Sequence, residues 1–260
     1  MSILQNYCHS NNKANIPAYL IACKEYNNFV DINEELKIEG VLEYHKDLFN
    51  RIMECESIDE ASHIFERYMQ ELFNLSEKHV NSYIKLLRGI LFDSNRPEGA
   101  VLKGWVESRF GLIPTYHKNK ITSVDSEAYL IYLSDRMNNE ASGNLIEYQL
   151  DLLYTYTQYI IKKFFKNFIP YTTVYRGVNK IDEHEILEKN KNNYTLLLNN
   201  VSSFSFSRDI AETFGDYIIE IKAPFTKIIF FHNVLPMLKF AGEMEVLVLG
   251  GIYNAKINYF

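Results

Sequence analysis

The sequence predicts an α+β protein, in which a helical N-terminal part (residues 1–169) packs against a mixed α/β core (residues 170–260). Two observations lead to this prediction. Before Pro170, apolar residues recur three and four positions apart, as they do along one face of a helix. After Pro170, the chain consists of short runs rich in β-branched and aromatic residues. Because no repeat, low-complexity tract or flexible linker divides the chain, the helical part is expected to be integral to the fold.

The helical pattern is clearest in three stretches that turn formers separate. In the stretch 57–73, Ser57 precedes Glu60 by three residues, which is the pattern of a capping box at a helix N-terminus. A further apolar stripe runs from Val80 to Leu91, and "FDSNRPEG" ends it with turn formers. The three stretches are "GVLEYHKDLFNRIM" (40–53), "SIDEASHIFERYMQELF" (57–73) and "NLIEYQLDLLYTYTQYIIKKFFKNF" (144–168).

The strand pattern occurs in five runs of the last third of the chain, bounded by turn or helix signals. "SRDIAETFG" (207–215) lies among them and predicts a short helix that ends at Gly215. The five runs are "YTTVYRGV" (171–178), "YTLLLNNVSSFSFS" (194–207), "DYIIEIKAP" (216–224), "TKIIFFHNV" (226–234) and "MEVLVLGGIYNAKI" (244–257).

Composition argues against several classes of protein. The chain has 27 Lys and Arg against 33 Asp and Glu, a net charge of −6, which argues against general binding of nucleic acid. No apolar stretch approaches the roughly 20 residues of a membrane span, and the first residues lack the features of a secretory signal. Cys8, Cys23 and Cys55 are scattered without metal-ligand spacing, so we expect reduced thiols, no metal site and a cytoplasmic protein.

Two glutamates precede a run that otherwise looks like a buried strand. On a strand, residues two apart lie on the same face with Cα atoms roughly 6.5–7 Å apart, so Glu243 and Glu245 would share a face. Paired like charges are unfavourable unless a cation or a function offsets them. The alternative is a solvated strand end, which tolerates charge.

An arginine and three serines are the other candidates for chemistry. Arg176 interrupts an apolar strand, where it could bind phosphate or carboxylate in bidentate fashion, and Gly177 would let a ligand approach the backbone. The alternative for the arginine is a structural ion pair. Ser203, Ser205 and Ser207 alternate along a predicted strand, where their hydroxyl groups could hold a carboxylate in one rotamer. The alternative for the serines is an outward-facing polar edge.

The order of these motifs resembles the arginine–serine–glutamate class of mono-ADP-ribosyltransferases. That resemblance implies a core of two packed antiparallel sheets that binds NAD. It assigns Arg176 to the phosphate and ribose side of NAD, and Ser205 to orienting the catalytic glutamate, Glu245. Glu243 matches the extra glutamate associated with an arginine acceptor, and Phe214 matches an aromatic residue over the nicotinamide; its alternative is a core residue of the short helix. The sequence departs from the family at Phe206, where a small threonine is commoner.

A longer stretch is similar to the dinitrogenase reductase ADP-ribosyltransferase family. The specific part is "YIKLLRGILFDSNRPEGAVLKGWVESRFGLIPTYH" (83–117), and the similarity extends over nearly the whole chain. It implies transfer of ADP-ribose from NAD to one arginine of the nitrogenase iron protein, reversible inactivation of that protein, and a signalling protein as regulator. Within the specific part, polar residues are candidates for recognising the protein substrate or NAD: Asp93, Arg96, Glu98 and Lys103.

The chemistry gives the two glutamates separate tasks. Nicotinamide is a good leaving group, so the barrier lies in the positive charge that develops on the ribose, which Glu245 would stabilise. The acceptor guanidinium, with a pKa above about 12, is a poor nucleophile, and Glu243 would hold it and withdraw proton density.

Three alternatives remain at this point. The same chemistry could act on another cytoplasmic protein, or the fold could be a non-catalytic module that binds NAD or a partner. A glycoside hydrolase also uses two carboxylates, but these usually come from separate elements at gaps of about 5 or 6.5–9.5 Å.

Overall fold

The computed structural model of the chain describes residues 2–75, 82–139, 144–181, 184–236 and 245–259. Helices precede the main sheet, as the sequence predicts, and the α+β class is confirmed. Within the described ranges, none of the helices combines the length and apolar character that crossing a membrane requires. The helices are α1 (Ser2–Gln5), α2 (Ala18–Ala22), α3 (Lys24–Asn28), α4 (Val41–Tyr44), α5 (Lys46–Glu54), α6 (Ile58–Phe73), α7 (Tyr83–Phe92), α8 (Pro97–Phe110), α9 (Glu127–Asn138), α10 (Asn144–Phe164) and α11 (Arg208–Glu212).

The predicted start of α6 is confirmed in detail. The Ser57 hydroxyl accepts a hydrogen bond from the backbone N–H of Glu60 at 3.2 Å, which caps the helix. The Glu60 carboxylate in turn accepts the N–H of Glu56 at 3.0 Å, one residue earlier than in an ideal capping box. Val80, the predicted first residue of the next apolar stripe, lies outside the described residues.

Six strands form one antiparallel sheet in the order β4-β5-β3-β6-β8-β7, and two short strands, β1 and β2, form a separate hairpin. All five predicted runs contain strands, and β4 is a sixth strand that the sequence analysis missed. The strands are β1 (Tyr116–His117), β2 (Asn119–Lys120), β3 (Tyr171–Val178), β4 (Glu185–Asn190), β5 (Asn193–Ser205), β6 (Tyr217–Pro224), β7 (Ile228–Phe231) and β8 (Glu245–Tyr259).

The two packed sheets implied by the family resemblance are not confirmed; the described strands of the core belong to one hydrogen-bonded sheet. The physical reason is that β5 and β8 are long and pair with each other on both sides of a bend. The register shifts between Leu198 and Val201, opposite Gly250. A Cβ on Gly250 would lie 2.0 Å from the carbonyl oxygen of Asn199, so this close approach requires glycine.

Residues at the bend also bind the helical part to the sheet. The side-chain amide of Asn200 donates to the carbonyls of Lys103 and Leu112, both at 2.9 Å. The amide oxygen of Asn199 accepts the N–H of Thr115 at 3.0 Å. One apolar core continues across this junction and contains side chains from both halves of the chain, among them Trp105, Tyr154, Phe225 and Val246.

Candidate active site

Three neighbouring strands bring the predicted arginine, serine and glutamate together. Ser205, the last residue of β5, is paired with Tyr175 of β3 on one side and with Glu245 of β8 on the other. Residues directly opposite in antiparallel strands have Cα atoms about 4.5–5.5 Å apart. Arg176 follows Tyr175 on β3, so the predicted arginine, serine and glutamate occupy one end of the sheet.

Arg176 is held against β5 by two hydrogen bonds to a serine. Its Nη1 donates to the carbonyl oxygen of Ser203 at 2.8 Å and to the Ser203 hydroxyl at 3.1 Å. Both acceptors are neutral, so these two bonds fix the guanidinium without cancelling its charge. From the sequence, Ser203 was only one of three alternating serines, and its position two residues before Ser205 was the signal for this contact.

The third serine does not lie on the strand, so that part of the prediction is wrong. β5 ends at Ser205, and Ser207 is the N-cap of α11, with its hydroxyl accepting the N–H of Ile210 at 3.3 Å. The backbone N–H of Ser207 donates to the hydroxyl of Ser205 at 3.1 Å. The buried Ser205 side chain is thereby held at the turn between β5 and α11.

Gly177 is explained by packing of the protein against itself. A Cβ at this position would lie 1.9 Å from the carbonyl oxygen of Ala211 in α11. The backbone that approaches Gly177 is therefore that of α11, whereas the sequence analysis attributed the glycine to an approaching ligand. Gly177 places the short helix, and through it the turn after Ser205, against β3.

Phe214 lies just after α11 and half of its surface is exposed. The alternative, a core residue of the short helix, is therefore wrong. Phe206 is partly buried and packs against Phe168, Phe231 and His232, with ring centroids 5.1, 5.9 and 6.4 Å away. This aromatic cluster gives a structural reason for the phenylalanine where the wider class has a small residue.

The two glutamates differ in what the structure describes. Glu245 is partly buried and begins β8 opposite Ser205. Glu243 lies outside the described residues.

His232, which follows β7, was not a predicted site residue, yet its ring is hydrogen-bonded to the backbone of Glu245. Burial lowers the pKa of His232, and this hydrogen bond partly opposes the effect.

The candidate polar residues of the 83–117 segment differ in exposure, so they do not form a single recognition surface. Asp93 and Arg96 are exposed and Glu98 is half-buried. Lys103 is fully buried, and its ammonium donates to the carbonyl of Ser94 at 2.9 Å and to Nδ1 of His117 at 3.2 Å. The proposed recognition role is thus wrong for Lys103, which instead fixes the turn between α7 and α8.

A cavity of about 500 Å³ lies elsewhere, between α3 and the sheet, and most of its lining residues are of polar types. Its lining includes Lys24, Glu188, Glu220 and Lys256, but not the predicted arginine, serine or glutamate. It is therefore a feature separate from the end of the sheet where those three residues meet.

Comparison with known proteins identifies the family. The model of the dinitrogenase reductase ADP-ribosyltransferase family matches residues 11–257. This chain belongs to that family. A relative from Rhodospirillum rubrum, described as NAD(+)–dinitrogen-reductase ADP-D-ribosyltransferase, is 37% identical over 266 residues, which cover 96% of this chain and 95% of the relative. No solved structure matches the chain significantly. The resemblance inferred from the sequence is therefore confirmed.

Proposed function

We propose that this member of the dinitrogenase reductase ADP-ribosyltransferase family transfers ADP-ribose from NAD to an arginine of dinitrogenase reductase, the nitrogenase iron protein. The observation that carries the proposal is the 37% identity, over nearly the full length of both chains, with a relative named for this activity. The meeting of Arg176, Ser205 and Glu245 at one end of the sheet supports it independently, because the reaction needs an anion-binding arginine close to an oriented carboxylate.

In the proposed reaction, C1′ of the ribose of NAD exchanges one bond for another. The bond between nicotinamide and C1′ of the ribose breaks, and nicotinamide leaves as a neutral molecule with the bonding electrons. Glu245 accepts a hydrogen bond from the 2′-hydroxyl and stabilises the positive charge on C1′. A nitrogen of the acceptor guanidinium then bonds to C1′ and gives its proton to Glu243.

The remaining residues bind and orient NAD. Arg176 binds the phosphate and ribose side of NAD with a guanidinium that Ser203 holds in place. Ser205 orients Glu245, its neighbour across the strand pair. Phe214, half exposed beside this turn, covers the nicotinamide ring. Gly177 contributes indirectly, because it allows α11 to lie close to β3. In this proposal residues 170–260 form the NAD-binding catalytic core.

The cellular role follows from the substrate. In this proposal, modification of the iron protein inactivates it reversibly. The enzyme acts in the cytoplasm together with nitrogenase, and a signalling protein regulates it. The alternative is the same transfer to another cytoplasmic protein, or a module that binds NAD or a partner without catalysis.

The decisive experiment mixes the pure protein with labelled NAD and a nitrogenase iron protein. We expect label on one arginine of the iron protein with the wild type and none with Glu245→Gln. The matched variant Glu243→Gln is expected to lose transfer to arginine while it keeps some release of nicotinamide from NAD. Equal and mild effects of the two substitutions would overturn the separate roles.

Two further outcomes identify the alternatives. Release of nicotinamide without label on the iron protein would mean that the chemistry is right and the target is another protein. Binding of NAD with neither release nor transfer, tested with the proposed regulator present, would favour the non-catalytic module.

A further inference from the structure

His232 lies one residue beyond the end of β7, next to Glu245 of β8. The last pair between these two strands joins Phe231 to Val246. In an antiparallel pair, the next residue of one strand is opposite the preceding residue of the other, so the chain places His232 opposite Glu245. On its other side Glu245 is paired with Ser205 of β5. Glu245 therefore lies between Ser205 and His232.

Two contacts fix the half-buried imidazole of His232 at this place. Its ring packs against Phe206, the residue after Ser205, with the ring centroids 6.4 Å apart. The ring is also hydrogen-bonded to the backbone of Glu245. Because this bond raises the pKa of the imidazole, it favours the protonated ring, and its acceptor is the carbonyl oxygen of Glu245. The imidazole thus supplies a donor to Glu245 on the side where β7 has ended.

The imidazole is a polar ring in an otherwise apolar cluster. The other rings that pack on Phe206 belong to Phe168 and Phe231. Packing alone would be served by a phenylalanine at position 232, which has no polar group to bury. The hydrogen bond to Glu245 is therefore what an imidazole adds to this cluster.

We propose that His232 is a positioning residue for the catalytic carboxylate, because it holds the backbone of Glu245 from the side opposite Ser205. The inference rests on the proposed function, since it assumes that Glu245 stabilises the positive charge on C1′ of the ribose. A displacement of a reacting group by about 1 Å can lower the rate of an enzyme about 100-fold. Ser205 orients the side chain of Glu245, and His232 fixes the main chain from which that side chain extends.

This role predicts which kinetic constants depend on His232. Glu245 acts on a charge at C1′ that develops during the reaction, so a displaced Glu245 lowers kcat and leaves the KM for NAD unchanged. The same charge develops whether an arginine or water is the acceptor. Transfer to the iron protein and release of nicotinamide without the iron protein should therefore fall together. Glu243→Gln differs in this respect, because it is expected to keep some release.

The test uses two substitutions that separate the hydrogen bond from the packing. His232→Phe keeps a ring against Phe206 and removes the donor, whereas His232→Gln removes the ring and keeps a donor of similar reach. We expect His232→Phe to lower kcat about tenfold for both transfer and nicotinamide release, with the KM for NAD unchanged. His232→Gln should recover most of this loss. If the ring only fills space, the order is reversed, with His232→Phe equal to the wild type and His232→Gln defective.

Phe168→Leu is the control for disturbed packing, because the Phe168 ring packs against Phe206 in the same cluster. We expect this control to lower the unfolding temperature and to leave kcat unchanged. The number of NAD molecules bound per protein is measured by calorimetry for every variant. A smaller folded fraction is then not mistaken for a lower kcat.

The outcomes keep the inference apart from the proposed function. If the wild type neither transfers ADP-ribose nor releases nicotinamide, the proposed function fails and the inference with it. If the wild type is active and Glu245→Gln is not, a wild-type kcat of His232→Phe overturns the inference while the function stands. A loss of kcat that Phe168→Leu reproduces, or that His232→Gln does not recover, would also overturn it, since the ring would then be a packing group.

Discussion

The buried side chain of Lys227 predicts how the free energy of unfolding of this fold depends on pH. Its side chain is completely buried beside the bend of β8, and its ammonium donates to the carbonyl of Gly250 at 2.9 Å. The rings of Tyr253 and Tyr26 lie 5.0 and 5.5 Å from its Nζ. No carboxylate forms an ion pair with Lys227 in the described part of the chain. Burial therefore lowers the pKa of Lys227 to about 7.

The linkage between proton binding and folding gives the sign and the size of the effect that Lys227 has on the free energy of unfolding. An unfolded lysine has a pKa of about 10.4, so between pH 7 and about 10.4 the unfolded chain binds one proton more than the folded protein at this site. The free energy of unfolding therefore rises with pH in this window. For a folded pKa of about 7, the contribution of Lys227 to the free energy of unfolding grows by about 1 to 2 kcal/mol between pH 7.0 and 8.5.

The perturbation that isolates this term is Lys227→Met, which keeps the unbranched shape and removes the titration. Losing the hydrogen bond to Gly250 lowers stability by an amount that does not depend on pH. Titrating groups that do not interact with Lys227, such as the histidines, are common to both proteins and cancel in the difference. Urea unfolding at four pH values from 7.0 to 8.5, with a reductant present, should show the wild type gaining about 1 to 2 kcal/mol over the variant.

A second lysine of β8 provides the control for this test. Lys256→Met removes a mostly exposed lysine of β8, and its stability difference from the wild type should stay constant over the same pH range. If the difference for Lys227→Met is equally flat, the buried ammonium is charged in the folded protein and the reasoning from burial is refuted.

Three further predictions concern the candidate active site. Gly177→Ala should lower the free energy of unfolding by about 3 kcal/mol in urea titrations, because its Cβ would lie 1.9 Å from the carbonyl of Ala211; an unchanged stability would contradict the packing of α11. Ser203→Ala should raise the KM for NAD about tenfold with unfolding unchanged, since Arg176 loses its hydrogen bond to the Ser203 hydroxyl; an unchanged KM would mean that the bond to the Ser203 carbonyl is sufficient. Phe214→Ala should raise the same KM roughly three- to tenfold without a change in the unfolding temperature, because the ring is half exposed; equal KM values would exclude it from the NAD site.

The sequence pattern located most of the sheet because its strands are buried on at least one face. β3 runs over Tyr171–Val178, the range that its β-branched and aromatic residues predict. β4 was missed for the opposite reason. It is an edge strand, paired with β5 and exposed along most of its length, so its sequence carries no apolar alternation. Its conformation comes from the pairing with β5, which local sequence does not reveal.

The central helix α8 (Pro97–Phe110) was missed for a related reason. Residues around its whole circumference are buried, so it has no apolar stripe on one face. Its polar residues find partners inside the protein. Glu107 accepts hydrogen bonds from the hydroxyls of Tyr129 and Tyr132, at 2.6 and 2.7 Å. Arg109 donates to Asp151 at 2.7 Å. Such partners are distant in sequence, so periodicity cannot identify them.

For the candidate site, the sequence predicted which residues lie near one another better than it predicted their local conformation. Arg176, Ser205 and Glu245 lie together as the resemblance implied. Alternating serines look the same whether the third continues a strand or caps a helix, and only the fold shows that Ser207 is a cap.

The bend between the two long strands explains why a site in the last third of the chain depends on the first two thirds. β5 carries Ser205 at its C-terminal end and β8 carries Glu245 at its start, so the bend in the two strands determines where both residues lie. Asn200 lies at this bend and donates two hydrogen bonds to carbonyls of the helical part. Through these bonds the helical part contacts the strand that carries Ser205, although it supplies neither of the proposed catalytic carboxylates.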